Sequence, residues 1–299
     1  MTGYTRRRFI GTTAAGIGAA LFNSSLANTY GTSSNFDPYE RIELGKTSIR
    51  PTRLCMGTGM RGWKRESNLT RMGYDEGVKL VRMAYEQGVR MFDAADLYGT
   101  HGIVGKALSI YPRKDYVIFT KIWFAKNGIP EEERPTSDIV VKRFLKELNT
   151  DYIDGVMLHC VTSKDWNTEL SDYMTGLDKL KQEGTIRSHG LTCHSLQAVE
   201  TAVSEPWVDC INVRFNAYGN HMDDKADKVE PVVRSLHQAG KGVIAMKVMG
   251  QGDFGNSDEQ KDNSLRYVLG SGAVDVLDIG FDKIEHIRDT EQRIKKIAR

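Results

Sequence analysis

Apolar and polar positions alternate along this chain with two different spacings. Short apolar runs, each about the length of one strand, recur through the sequence. They occupy positions 53–59, 91–95, 116–122, 152–159, 188–193, 210–215, 243–248 and 274–279. Between these runs, apolar residues recur every three to four positions, as in the segment 136–149, which predicts amphipathic helices. Glycine follows several of these predicted helices, at Gly88, Gly184 and Gly240, where it favours a left-handed helix cap.

Strands that alternate with helices predict an all-parallel sheet, and eight of them favour a closed (β/α)8 barrel, the TIM-barrel fold of the α/β class. The alternative is an open doubly wound sheet, but no glycine-rich dinucleotide motif opens a helix here. A β-hairpin is predicted at 39–51, with its turn at Gly45 and Lys46, and we expect it to close the bottom of the barrel. The barrel domain is predicted over 41–299, after a polar linker at 28–40.

The beginning of the chain has the layout of an export signal. Three arginines, Arg6, Arg7 and Arg8, precede a mildly apolar run at 9–22, and a small-residue cleavage site follows. This layout predicts a cleavable signal peptide over 1–27, and the arginine cluster resembles the twin-arginine (Tat) motif. We therefore expect a periplasmic protein that uses the Tat export machinery as a partner and has no stable membrane insertion after cleavage.

Charge and cysteine content exclude several classes of partner and site. The sequence has 41 Lys and Arg against 39 Asp and Glu, and removal of the signal's three arginines changes the formal net charge from +2 to −1. No nucleic-acid partner is expected from this balance. The four cysteines form no CxxC pair and lie in or beside apolar runs. This pattern favours small buried residues over a disulfide framework or a zinc site.

Polar residues follow three consecutive predicted strands at the point where each strand ends. The second strand leads to Asp93 and then to Tyr98. The third strand ends at Lys121, and the fourth ends at His159. Because the working residues of a (β/α)8 barrel gather at the C-terminal ends of its strands, we expect these four side chains to meet at the barrel mouth.

The four residue types suit acid–base chemistry at a carbonyl oxygen. A free tyrosine has a pKa of about 10 and is a poor acid near neutrality. A nearby ammonium is expected to lower the pKa of Tyr98, while Asp93 keeps Lys121 charged and in place. His159 can share the hydrogen bond of the phenol or orient a carbonyl group. The set therefore predicts a proton donor for an oxygen that gains negative charge when hydride reaches its carbon.

Four segments carry a family resemblance: FDAADLYG (92–99), VIFTKIW (117–123), DYIDGVMLH (151–159) and TIRSHGLTCHS (185–195). In this order and spacing they resemble the aldo-keto reductases. The resemblance implies an oxidoreductase that transfers hydride between a nicotinamide cofactor and an aldehyde, ketone or sugar. It implies Tyr98 as the general acid/base, with Asp93 and Lys121 as the pair that tunes it. His159 takes the role of the residue that orients the substrate.

The resemblance also implies an NADP or NAD cofactor that lies extended across the barrel mouth. The positions that match the family's cofactor contacts are Gly57, Thr58, Gly59, Thr192, Cys193, Asn212, Met246, Lys247, Met249 and Gly250. Thr192 and Cys193 stand where the family usually has Ser-Asn, and Asn212 stands in place of Gln. After the eighth strand, this sequence lacks the arginine that binds the 2′-phosphate in NADP-selective members. The choice between NADP and NAD stays open at this point, and we expect an exported reductase to keep its cofactor bound.

Aromatic residues are expected to border the substrate pocket. The chain ends at Arg299, without the C-terminal loop that covers the substrate in many family members. We therefore expect an open pocket whose border is formed mainly by Trp63, Trp123 and Phe124. Such aromatic side chains can stack on the face of a sugar.

Two other functions are compatible with a barrel of this kind. One is a binding or accessory protein without redox turnover, which the altered cofactor contacts suggest. The complete set of four catalytic residue types argues against it. The other is a metal-dependent hydrolase built on histidines, with the candidates His159, His189, His194 and His221. The lack of converging carboxylate and histidine ligands at strand ends argues against a metal site.

Overall fold

The computed structural model describes residues 35–299. The predicted signal at 1–27 and the first part of the predicted linker lie outside the described residues. Within 35–299, no helix combines the length and the apolar character needed to cross a membrane.

Eight parallel strands form a closed barrel in which each strand pairs with its sequence neighbours. The strands are β1 (Leu54–Gly57), β2 (Met91–Asp93), β3 (Val117–Ile122), β4 (Gly155–Val161), β5 (His189–Cys193), β6 (Cys210–Arg214), β7 (Gly242–Met246) and β8 (Val276–Gly280). Strand β1 pairs with both β2 and β8, so the sheet has no open edge. The predicted TIM-barrel fold is confirmed, and each observed strand overlaps the apolar run that predicted it.

Helices cover the outside of the barrel. They are α1 (Asn68–Arg71), α2 (Tyr74–Gln87), α3 (His101–Leu108), α4 (Ser137–Leu148), α5 (Trp166–Glu169), α6 (Ser171–Gln182), α7 (Leu196–Ser204), α8 (Ala226–Gln238), α9 (Asp258–Gly270) and α10 (Ile284–Ile294). Helix α4 shows why these segments pack as they do: Val140, Phe144 and Leu148 recur at helical spacing and are buried. Ile139, another apolar residue of this helix, is 52% exposed and therefore lies outside the buried stripe.

Two apolar layers fill the structure. The larger one lies between the strands and the helices, and the smaller one fills the lower interior of the barrel. The interior layer includes Phe119 and Met157 on strands β3 and β4, together with Leu44 and Ile49 from the segment before β1. These side chains occupy the lower interior, while Lys121 and His159 lie toward the opposite, C-terminal end of their strands.

The predicted N-terminal hairpin closes the bottom of the barrel. Leu44 N donates to Ile49 O at 3.2 Å, and Arg41 forms an antiparallel bridge with Thr52. Leu44 and Ile49 are fully buried. The hairpin is therefore held chiefly by the two apolar side chains that it inserts into the barrel.

Residues 35–40, at the end of the predicted linker, contact the barrel and its last helix. Phe36 N donates to Ile297 O at 3.0 Å, and the Tyr39 hydroxyl donates to Glu291 Oε2 at 3.0 Å. This end of the segment therefore packs against the C-terminal part of the chain.

Candidate active site

Four polar side chains meet at the C-terminal end of the barrel. Asp93 ends β2, and Tyr98 ends the short 3-10 helix that follows it, Asp96–Tyr98. Lys121 and His159 lie on β3 and β4. The structure thus brings together the four residues that the sequence singled out as catalytic.

Lys121 and Asp93 form a buried ion pair. Lys121 Nζ donates to Asp93 Oδ2 and, at 2.9 Å, to the carbonyl oxygen of Ala94. Both charged side chains are almost fully buried, at 1% and 3% exposure. Burial raises the pKa of Asp93, and the Lys121 ammonium opposes this effect. A buried charge is stable only when it is paired, so each residue holds the other in place.

Tyr98 and His159 form the second pair. The Tyr98 hydroxyl lies 3.2 Å from His159 Nε2, and the two rings meet edge to face with centroids 5.2 Å apart. Burial lowers the pKa of His159 well below its usual range, so the imidazole is neutral. Burial, followed by the charge of Asp93, raises the pKa of Tyr98 well above its usual range. At neutral pH the pair is therefore a protonated phenol beside a neutral imidazole.

The predicted effect of Lys121 on Tyr98 is wrong in one respect. The ammonium lies over the face of the Tyr98 ring, 5.0 Å from its centroid, and its hydrogen bonds go to Asp93 and Ala94. Burial and the nearby carboxyl groups therefore dominate the pKa of Tyr98, which is raised and not lowered. The negatively charged face of the Tyr98 ring still attracts the Lys121 ammonium, and this contact fixes where the ring lies.

Two glycines of the loop after β1 make room for the Tyr98 ring. A Cβ atom at Gly59 would lie 2.1 Å from Tyr98 Cε2, and one at Gly62 would lie 2.5 Å from Tyr98 Cδ1. The sequence placed Gly59 in the cofactor site and missed Gly62. Both positions require glycine because the loop backbone packs directly against the Tyr98 ring.

A groove with a cavity volume of about 330 Å³ begins at Tyr98 and runs over the loops after β7 and β8 to α10. Five of the predicted cofactor residues line it: Gly57, Gly59, Met246, Lys247 and Met249. Of the four polar residues at the mouth, Asp93 and Tyr98 line this groove.

Other predicted cofactor residues lie behind the groove wall. The hydroxyl of Thr58 donates to Asp93 O at 2.8 Å, and that of Thr192 accepts from Cys160 N at 2.8 Å. Cys193 is fully buried in the apolar layer between strands and helices, and Gly250 is buried in the loop after β7. In the structure, the two threonines connect strand ends to each other, and Cys193 contributes to packing.

Asn212 has the free hydrogen-bonding groups that a nicotinamide carboxamide needs. It is fully buried on β6, and neither its Nδ2 nor its Oδ1 has a hydrogen-bond partner within residues 35–299. A buried, unpaired amide costs free energy unless a ligand supplies the missing partners. A carboxamide offers one donor and one acceptor group, which match the two unpaired groups of Asn212, although Asn212 itself lies behind the residues that line the groove.

The far end of the groove is acidic. It is lined by Asp282, His286 and Asp289, together with Lys261, whose ammonium lies 3.5 Å from Asp289 Oδ2. Arg293 on α10 is held by three carboxylates of the same region, those of Asp258, Asp262 and Asp289. Among the described residues that line the groove there is no arginine, the side chain that suits a 2′-phosphate.

Sequence reasoning missed Asp278, which lies beside Asp93 in the same mouth. Asp278 belongs to β8 and lines the groove. An acidic residue inside the apolar run 274–279 could have indicated a site residue, because burying a charge in a strand costs free energy unless the charge is paired. The strand-end criterion that found Asp93 and Lys121 applies equally to Asp278.

Two of the three predicted pocket aromatics flank the catalytic residues. Trp123 meets His159 edge to face with centroids 5.5 Å apart, and Trp63 meets Trp123 in the same way at 5.5 Å. Trp63 is 43% exposed and therefore forms the rim. Phe124 instead packs near Tyr173, with centroids 6.5 Å apart. The predicted place of Phe124 in the pocket border is therefore not supported by its contacts.

Two of the four histidines that a metal site would require are paired with aspartates elsewhere. His189 Nε2 is 2.9 Å from Asp178 Oδ1, and its ring stacks on Trp207. His221 instead contacts Asp253 at the surface. Across the described part of the chain, no three His, Cys, Asp or Glu side chains are grouped so that they could hold a metal ion.

Comparison with known proteins agrees with this geometry. The model of the Aldo/keto reductase family matches residues 53–269. Aldo-keto reductase 1 of Glycine max is 27% identical over 222 residues, which cover 72% of this chain and 60% of the relative. Methylglyoxal reductase DkgB of Salmonella typhi is 30% identical over 121 residues, which cover 40% of this chain and 43% of the relative. The matches thus span about half the length of these curated relatives.

The fold is shared with solved structures. An aldo-keto reductase from Klebsiella pneumoniae, crystallised with NADPH, superposes with a TM-score of 0.65 at 18% identity, over 87% of this chain and 91% of the other. The family match extends over most of the barrel and includes all four catalytic positions. The chain therefore belongs to the aldo/keto reductase family.

Proposed function

We propose that this protein transfers hydride between a nicotinamide cofactor and a small carbonyl or alcohol substrate. The observation that carries the proposal is the barrel mouth in which the Tyr98 hydroxyl lies 3.2 Å from His159 Nε2 and the Tyr98 ring lies over the ammonium of the buried Lys121–Asp93 pair. Tyr98 and Asp93 also line the groove that runs over the loops after β7 and β8.

When bound, the nicotinamide supplies the hydride for reduction or accepts it for oxidation. In this chain, Asn212 binds and orients the carboxamide, and Lys247 lines the groove as a cation for the phosphates. Tyr98 donates its phenolic proton to the substrate oxygen that gains charge, or takes the proton back in the reverse direction. His159, whose Nε2 lies 3.2 Å from the Tyr98 hydroxyl, orients that oxygen.

The substrate class is an aldehyde, a ketone or a sugar in its open carbonyl form. Trp63 and Trp123 give the pocket an aromatic wall and an open rim, which suits small polar substrates with one apolar face. The name of the Salmonella relative, methylglyoxal reductase, points to small reactive carbonyls.

The experiment is a cofactor-dependent turnover assay on purified protein with a panel of small aldehydes, ketones and sugars. We expect one alcohol to be formed for each reduced nicotinamide oxidised, whether that nucleotide is added or already bound. No oxidation of added or bound reduced nicotinamide by any carbonyl, and no reduction of the oxidised nucleotide by any alcohol, would contradict the proposal and favour a binding or accessory role.

We further propose that residues 1–27 direct the folded protein to the periplasm through the twin-arginine machinery. The support is the arginine cluster, followed by a weakly apolar run and a small-residue site. Replacing Arg6 and Arg7 with Lys is expected to leave the protein in the cytoplasm with its activity intact. Unchanged export of this double variant would contradict the Tat assignment.

Export of a folded reductase suggests how it works where free NAD(P)H is scarce. We propose that the cofactor is bound before export and stays bound while one substrate reduces it and another reoxidises it. Rapid gel filtration of periplasmic protein should then retain one nucleotide per chain. Protein that emerges without nucleotide, and becomes active only when NAD(P)H is added, would contradict this mechanism.

A further inference from the structure

Asp278 places a second carboxyl group in the catalytic mouth, within reach of a side-chain hydrogen bond to Asp93. We propose that Asp278 is a positioning residue that acts as a neutral acid: it donates its proton to Asp93 Oδ1, so that Asp93 Oδ2 holds Lys121. This inference rests on the proposed function, because it concerns the same proton-transfer site.

The strand pairing brings the two carboxyl groups together across β1. Gly57 is in register with Asp93 on β2 and with Gly280 on β8, while Cys55 is in register with Asp278. A Cβ atom at Gly57 would lie 2.4 Å from Asp278 Oδ1. The Asp278 carboxyl therefore lies over Gly57, on the side of the strand that leads to Asp93.

Two oxygens of this pair lack a donor. Asp93 Oδ1 and Asp278 Oδ1 are both buried, and no group in the described part of the chain donates a hydrogen bond to either. Two adjacent carboxylates would repel each other and leave both oxygens unsatisfied. A single proton between them removes the repulsion and supplies the missing donor. Because Asp93 already binds the Lys121 ammonium as a carboxylate, the proton belongs on Asp278.

The surroundings agree with this assignment. The titratable and charged groups that face Asp278 come from four strands or their ends: Cys55, Asp93, Tyr98, Lys121 and Lys247. Lys121 is engaged by Asp93, and Lys247 is partly desolvated on the groove wall. Burial, followed by the charge of Asp93, raises the pKa of Asp278 well above its usual range, and the two lysines only partly offset this effect.

The proton on Asp278 matters because it controls the charge beneath Tyr98. With Asp278 neutral, one carboxylate and one ammonium balance each other. When Asp278 ionises at alkaline pH, its charge competes with Asp93 for Lys121 and raises the pKa of Tyr98 further. We therefore expect the reduction reaction to lose efficiency at alkaline pH with an apparent pKa that belongs to the Asp93–Asp278 pair.

The protonation state can be measured without turnover. Infrared difference spectra between the wild type and Asp278→Asn are expected to show the carbonyl band of a protonated carboxylic acid at neutral pH, shifted in deuterium oxide. The band should disappear as the pH rises through the alkaline limb of activity. An infrared difference that shows only an ionised carboxylate at neutral pH would overturn the proposal, whether or not the protein turns over any substrate.

Kinetics of three variants test the positioning role. Asp278→Asn keeps a donor for Asp93 Oδ1 but cannot ionise, so it should keep kcat/KM at neutral pH and lose the alkaline limb. Asp278→Leu removes the donor and should lower kcat/KM by about tenfold or more. Asp172→Asn is the matched control, because it removes a carboxylate from the exposed side of α6, away from the groove, and should keep the wild-type alkaline limb.

Two outcomes would contradict the proposal. One is an alkaline limb in Asp278→Asn that matches the wild type. The other is equal kcat/KM at neutral pH for the folded Leu and Asn variants. If Asp278→Leu does not fold, the Asp278→Asn variant and the infrared spectra still test the proposal. Absence of nicotinamide-dependent turnover in the wild type would instead overturn the proposed function and leave the infrared result standing.

Discussion

The phenolic oxygen of Tyr98 lies 3.2 Å from Nε2 of His159, and burial keeps this imidazole neutral. A neutral imidazole can accept from the phenol or donate to a substrate oxygen without adding a positive charge to the mouth. The positive charge of the site stays on Lys121, which is bound to Asp93 beneath the Tyr98 ring. Proton transfer therefore starts from an uncharged pair of rings beside a balanced ion pair.

This neutrality predicts how activity depends on pH below neutrality. A free histidine titrates near pH 6.5, but the pKa of His159 lies well below that value. Protonation of His159 should therefore not reduce kcat/KM for carbonyl reduction between about pH 8 and about pH 5.5. We expect His159→Gln to lower kcat/KM by about 10- to 100-fold while the profile stays flat over this interval. An inflection near pH 6.5 that is present in the wild type and absent from His159→Gln would show that the imidazole is charged there.

The close packing of Gly62 on Tyr98 predicts that a single methyl group added at position 62 strongly lowers turnover. Because a Cβ atom at this position would lie 2.5 Å from Tyr98 Cδ1, Gly62→Ala must displace the ring. We expect kcat to fall by about tenfold or more, with nucleotide binding nearly unchanged, since small displacements of a reacting group are costly.

Gly102→Ala is the control for this substitution. It lies in α3, and its added Cβ atom would meet only Tyr74 Cε2, at 3.9 Å, within the described structure. We expect wild-type turnover and equal or slightly higher thermal stability, because alanine is the better helix former. Equal turnover of Gly62→Ala and Gly102→Ala would contradict the packing argument.

The acidic far end of the groove predicts the cofactor preference. A 2′-phosphate there would lie close to the carboxylates of Asp282 and Asp289, whereas the ribose hydroxyl of NAD can donate to them. We therefore expect fluorescence titration to give a Kd for NADH no higher than that for NADPH. Asp282→Asn should tighten NADPH binding by roughly two- to tenfold and leave NADH binding unchanged or weaker.

The matched control for this charge removal is Asp172→Asn, on the exposed side of α6. It makes the same change in net charge away from the groove and should alter neither Kd. Tighter binding of NADPH than NADH by the wild type would contradict the argument from the acidic groove end.

The barrel and the meeting of four polar side chains at its mouth could be predicted because both depend on local pattern. Apolar runs of strand length mark the parallel strands, and a polar residue just after such a run marks the barrel mouth. Asp93, Lys121 and His159 follow this rule on consecutive strands, so their meeting needs only the order of the strands. The position of Lys121 over the Tyr98 ring could not be predicted, because the carbonyl of Ala94 competes for the ammonium.

The remaining differences arise from contacts between distant parts of the chain. Asp278 reaches Asp93 only because β1 pairs with β2 on one side and β8 on the other, which requires the barrel to close. Phe124 lies two residues beyond the end of β3, and beyond a strand the alternation of side-chain directions no longer holds. Its contact with Tyr173 depends on the loop after β3, whose path the apolar pattern does not specify.

The central claim is that Tyr98 donates the proton in a nicotinamide-dependent reduction. The most direct test compares Tyr98→Phe with the wild type in two measurements, nucleotide titration by fluorescence and turnover of a small aldehyde. Tyr74→Phe is the control, because Tyr74 is an exposed tyrosine outside the site and should behave as wild type in both measurements. We expect Tyr98→Phe to bind nucleotide as the wild type does and to lose about 100- to 10,000-fold in kcat. Wild-type turnover by folded Tyr98→Phe would contradict the account.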